Sequence, residues 1–77
     1  MEIWVTKKVD YRNIDILMPI LELRKILAPL QTGDIVELLT DDPAADLDLH
    51  AWSKLTGNKI IKIYQREKYT KYFIQKC

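Results

Sequence analysis

The sequence predicts an α+β fold: a two-layer βαβαββ sandwich in which a four-stranded mixed sheet carries both helices on one face, built as a single domain over residues 1–77. Three observations carry this. Apolar residues recur at helical spacing after Pro19 (Ile20, Leu23, Ile26, Leu27). The run Ile35–Thr40 is apolar on both faces around Glu37, as a central strand should be. Two β-prone runs, Lys59–Gln65 and about Thr70–Lys76, close the chain around the charged turn Arg66-Glu67-Lys68 and read as a hairpin. Strand, helix, strand, helix, strand, strand packs most simply as the sandwich named.

Taken in order, Glu2–Asp10 reads as the first strand, because Ile3 and Val5 alternate with Glu2, Trp4 and Thr6. The first helix runs from about Pro19 to Ala28, with Glu22, Arg24 and Lys25 on its polar side, and Pro29 and the turn residues Gln31-Thr32-Gly33-Asp34 end it. After the second strand, Asp41-Asp42-Pro43 stops the ladder. Asp42 and Asp48 are both suited to N-caps, so a loose turn and then a helix from about Leu49 to Thr56 is expected, with Gly57-Asn58 tolerating the left-handed conformation at its end. Trp52 and Leu55, three apart, should share one face of that helix.

With 77 residues, the chain lies near the lower limit at which one apolar core holds without staples. No apolar run reaches the roughly 20 residues that span a bilayer, and no stretch has the pattern of a signal peptide. A single cysteine, Cys77, has no partner for an internal disulfide, and with only His50 beside it no zinc site can be built; a reducing, cytoplasmic setting is expected. Net charge is +1, unevenly spread. From Gly57 onward six basic residues face one acid, giving +5, so the preceding part carries −4, with Asp41, Asp42, Asp46 and Asp48 crowded together. Such polarity suggests docking surfaces, although edge lysines that discourage aggregation explain part of it. The four aspartates lack the glycine and ligand spacing of a calcium loop, and His50 reads as a surface residue at a helix start.

The stretch Asn13-Ile14-Asp15-Ile16-Leu17-Met18-Pro19 hands the first strand to the first helix. Pro19 suits the first helical turn, whose unpaired N–H groups attract anions and activate thiols, yet the side chains offered are Ile16, Leu17 and Met18. The setting is reactive and the residues are inert.

These residues, with Leu30-Gln31-Thr32-Gly33, Asp41-Asp42-Pro43-Ala44, Asp48-Leu49, Trp52 and Gly57-Asn58, resemble the SirA/TusA family of small sulfur-relay proteins over nearly the whole length. The resemblance implies the βαβαββ fold and a persulfide-carrying cysteine in a Cys-Pro-x-Pro motif at the first helix. Pro19 matches the second proline; Leu17 then stands in place of the first, and Ile16 in place of the cysteine. Isoleucine can neither form a thiolate nor accept sulfur, so catalysis does not carry over to this position.

The resemblance also places Ile16, Met18, Trp52 and Leu55 near one another at the mouth of the first helix. An apolar and aromatic cluster beside free N–H groups suits a planar cofactor with a phosphate, and flavin mononucleotide (FMN) has both parts. The expectation is therefore a non-thiol binding subunit, not an enzyme by itself, serving electron transfer in a redox or sulfur-handling assembly with protein partners. The alternatives are a ligand-free docking adaptor, a sulfur relay through Cys77 on a flexible terminus, and RNA binding by the basic hairpin with Tyr64, Tyr69, Tyr72 and Phe73. Alternation in the hairpin should bury either Tyr72 and Ile74 or Phe73, leaving few rings for RNA.

Overall fold

A computed structural model describes residues 3–12 and 19–77, with side chains from Glu22 onward in the first helix. Its elements are β1 (Lys7–Tyr11), α1 (Pro19–Leu27), β2 (Ile35–Thr40), α2 (Ala45–Thr56), β3 (Lys59–Gln65) and β4 (Thr70–Gln75). The sheet order is β1-β2-β4-β3. β1 lies parallel to β2, as a crossover through a helix requires, while β4 runs antiparallel to both β2 and β3. The mixed four-stranded sheet with two helices is the expected α+β fold.

Alternation along β2 sets the two faces. Val36, Leu38 and Thr40 are buried, and opposite them on β4 lie Ile74, Tyr72 and Thr70. Val36, Leu38, Tyr72 and Ile74 meet Leu23 and Leu27 of α1 and Ala45, Leu49 and Trp52 of α2 in one core, which places both helices over this face. Buried Thr40 keeps its polar atom satisfied by accepting the Asp42 N–H at 3.1 Å.

Two boundaries differ from the sequence reading. β1 begins at Lys7, not Glu2: the alternation of Ile3 and Val5 is real, but residues 3–5 make no ladder and leave Trp4 83% exposed. Helix α2 begins at Ala45, a turn earlier than Leu49. Asp42 supplies the entry, its Oδ1 accepting the Ala44 N–H at 2.9 Å and its carbonyl the Ala45 N–H at 3.1 Å, while Asp48 lies inside the first turn as an acid favoured by the helix dipole. The exit is as expected, with Gly57 at φ +81° closing α2.

The hairpin also buries more than expected. Tyr72 and Ile74 lie under the helices, and Phe73, on the opposite face, is only 7% exposed because Tyr64 packs edge-on against it at 5.9 Å. Lys62 and Arg66 cover the Tyr64 ring at 4.9 and 5.2 Å, and Arg12 covers Tyr69 at 5.3 Å. These rings are committed within the molecule.

Candidate functional site: the Cys77 groove

The residues expected to form a pocket at the first helix are not gathered there among the described residues. Ile16 and Met18 lie outside the described part of the chain. Leu55 is 87% exposed on the far side of α2, whereas Trp52 is only 8% exposed and enters the core. Three residues advance a helix by about 300°, enough to put a wide apolar pair on opposite sides of a boundary. Trp52 does reach α1, but beside Leu27 and Ala28 at its C-terminal end, where a helix presents carbonyls instead of free N–H groups.

What Trp52 does line is a groove of about 580 Å³ whose other walls are Arg24, Leu27, Ala28, Thr56, Asn58, Lys76 and Cys77. The geometry grows from the end of α2. The hydroxyl of Thr56 donates to the Trp52 carbonyl at 2.9 Å and accepts both the backbone N–H and the side-chain amide of Asn58, at 3.2 and 3.1 Å. Asn58 is buried directly after the left-handed Gly57, and its carbonyl accepts the Ser53 hydroxyl at 2.5 Å. Its remaining acceptor, Oδ1, takes the backbone N–H of Cys77 at 2.9 Å. Asn58 thus fastens Cys77 to the end of α2.

Cys77 is therefore an anchored residue, not the flexible tail expected from the sequence. Its thiol is exposed and donates to the Thr56 carbonyl at 3.3 Å, and its own carbonyl accepts the Thr32 hydroxyl at 3.2 Å. Lys76 continues the β4 direction by pairing with the turn before β2: its N–H donates to Asp34, and its carbonyl accepts from Gly33, both at 2.8 Å. The Lys76 ammonium reaches across to the C-terminal end of α1 and donates to the carbonyls of Leu27, Ala28 and Leu30 at 2.7, 3.2 and 2.7 Å. That cation completes a helix terminus and has no proton left for a ligand. A second recess is lined by Thr32, Gly33, Gly57, Lys59, Gln75, Lys76 and Cys77. Sequence reasoning found Cys77 and Trp52 separately but missed Thr56, Asn58 and Arg24; a polar residue directly after a helix-ending glycine was the available signal for Asn58.

Elsewhere the acidic cluster is structural. Tyr72 donates to Asp46 Oδ1 at 2.9 Å, and the Tyr72 hydroxyl is pushed well above its usual range, by burial first and by this carboxylate second. His50 sits one turn along, its Nδ1 2.7 Å from the Asp46 carbonyl. No three metal-ligating side chains gather among the described residues, and no helix among them is long and apolar enough to cross a membrane.

The family model for the sulfurtransferase TusA matches residues 7–76, so the chain belongs to the TusA family. Among its relatives, YrkI of Bacillus subtilis is 33% identical over 70 residues, covering 91% of this chain and 93% of its own. A protein of Buchnera aphidicola, named the sulfur carrier protein TusA, is 29% identical over 88% of this chain and 86% of its own. A SirA-like protein from Desulfitobacterium hafniense, 18% identical, superimposes with a TM-score of 0.76 over 91% of this chain and 96% of its own, and shows the shared fold. These findings overturn the expectation of an FMN-binding electron-transfer subunit: the family is described as a sulfurtransferase, and these relatives are named sulfur carrier proteins.

Proposed function

We propose that this chain is a sulfur carrier that holds sulfane sulfur as a persulfide on Cys77. The observation that carries the reading is the anchored, exposed thiol of the chain's single cysteine at the edge of a groove, in a member of a sulfurtransferase family whose cysteine position is occupied by Ile16. Loading begins when the Cys77 thiolate attacks the outer sulfur of a donor persulfide. A bond forms between Cys77 Sγ and that sulfur as the donor's S–S bond breaks, and the electron pair leaves on the donor thiolate. Delivery repeats the step: an acceptor thiolate attacks the outer sulfur of the Cys77 persulfide, and Cys77 leaves as thiolate. The sulfane sulfur keeps its oxidation state throughout, so no external oxidant or reductant enters.

The hydrogen bond from the thiol to Thr56 belongs to the protonated, resting form. A thiolate has no proton to give that carbonyl, so ionisation removes the tie and leaves Sγ free to turn into the groove. A protein partner that takes the sulfur from Cys77 is part of this proposal, and the basic surface of the closing hairpin favours an acidic one.

The test is to incubate the reduced protein with a persulfidated protein donor and weigh it intact. Gain of one sulfur by the native chain and none by Cys77→Ser is the expected result. Sulfur retained by Cys77→Ser, or none gained by the native chain from either a protein persulfide or a small-molecule persulfide, would overturn the reading and return the domain to a docking role.

A further inference from the structure

Two groups in the Cys77 groove have no task in the fold. Arg24 lies on an exposed face of α1, and its guanidinium makes no ion pair or hydrogen bond among the described residues. It is the groove's available cation, since Lys76 is spent on three carbonyls. The indole N–H of Trp52 likewise has no partner among the described residues, although the residue is more than nine-tenths buried. Because no side-chain nitrogen in the described core is both sealed from solvent and unpaired, this N–H must retain access, and the groove is the opening that the ring lines. An arginine and a largely buried indole lining one concavity bring to it the kinds of donor that an oxygen anion needs. The remaining wall, Leu27, Ala28 and the face of Trp52, is apolar and suits a carbon chain.

We propose that the groove binds a small organic persulfide bearing a carboxylate, the carboxylate held by Arg24 and the Trp52 N–H and the sulfane sulfur presented to Cys77 Sγ. The inference rests on the relay reading of Cys77 and names its donor class: a low-molecular-weight thiol persulfide loads the carrier directly. The transfer is the loading step above, with the small thiolate as leaving group, which takes its proton from water. A groove of about 580 Å³ fits a tripeptide-sized thiol and not a folded domain.

Binding is tested without sulfur chemistry by titrating the reduced, ¹⁵N-labelled full chain with S-methylglutathione and following the two indole N–H resonances. The Trp52 resonance should shift saturably while that of Trp4 stays. Arg24→Ala and Arg24→Gln should each weaken binding at least tenfold, as should esterifying the probe's carboxylates, whereas Arg66→Ala should leave it unchanged. No saturable Trp52 shift up to about 10 mM, which corresponds to less than roughly 3 kcal/mol of affinity, or a shift indifferent to Arg24, would overturn the proposal. Loading assays keep the two readings apart. Sulfur uptake from a persulfidated protein but none from glutathione persulfide overturns the small-donor proposal and leaves the relay standing. Probe binding with no sulfur uptake from either donor overturns the relay, and with it the donor role proposed for the groove.

Discussion

Asp10 and Arg12 sit at the end of β1 and grip each other closely. The Arg12 guanidinium donates to both Asp10 oxygens, at 3.0, 3.2 and 2.7 Å, and its backbone N–H adds a fourth bond at 3.0 Å. These bonds pull the Asp10 carboxyl from its ordinary 3.8 down to about 2. A carboxyl depressed by folding stabilises the native state above its unfolded value and loses that contribution as pH falls through the folded one. Its share of stability is therefore intact above about pH 4 and fades towards pH 2. The side-chain carbonyl carbon of Asp10, followed by NMR, should titrate near 2 and return towards 3.8 in Arg12→Ala. Tyr72 gives the opposite case. Its raised hydroxyl favours the neutral form in the folded state, so its contribution is present below the ordinary tyrosine value of about 10 and is lost as pH rises beyond it. Tyr72→Phe should cost about 1 kcal/mol, measured by urea unfolding at neutral pH, because the bond to Asp46 is lost while the half-open carboxylate returns to water.

At the scale of elements, the ends of the helices matter more than their middles. Lys76→Met should destabilise the domain by about 1–2 kcal/mol, since it strips the last carbonyls around α1 of a charged donor while keeping the apolar stem; a shift in the urea midpoint at constant slope checks this. Gly57→Ala should cost about 1 kcal/mol or more, because an alanine rarely adopts φ of +81°, and the added methyl would stand 3.7 Å from Cys77 Sγ. The expected signature is a stability loss together with slower alkylation of Cys77. Element types were legible because each rests on local chemistry: the 3.6-residue spacing of Leu23 and Leu27, the period-two burial of Val36, Leu38 and Thr40, and Gly57 after the last turn of α2. The site was not, because it is made by convergence. Whether Asn58 spends its side chain on the residue 19 positions later depends on where β4 ends relative to α2, and no local pattern encodes that. The expected grouping at the first helix missed for a related reason: it took Trp52 and Leu55 as one face when the core boundary runs between them.

Across the whole molecule, one apolar layer carries the load. Leu49→Ala should cost about 2–5 kcal/mol against a total of roughly 5–15 kcal/mol for a domain, so thermal unfolding should fall sharply or the protein should lose cooperative unfolding altogether. The SirA-like fold is retained at 18% identity, consistent with a layer that asks for apolar volume and spacing more than for particular side chains.

The strand order β1-β2-β4-β3 has a kinetic corollary. β2 and β4 are bonded on both sides, whereas β1 is held in the sheet by β2 alone and is followed in the chain by α1. Amide exchange should therefore reach the global limit in β2 and β4 and be faster in β1, in an opening that releases the β1–α1 unit before the rest unfolds. Arg24, Leu27 and Ala28 leave with α1, while Cys77 stays fastened to Asn58 at the end of α2. The groove would then be a transient enclosure around a permanent thiol, and its lifetime, not the chemistry at sulfur, would set how long a weak ligand dwells beside Cys77.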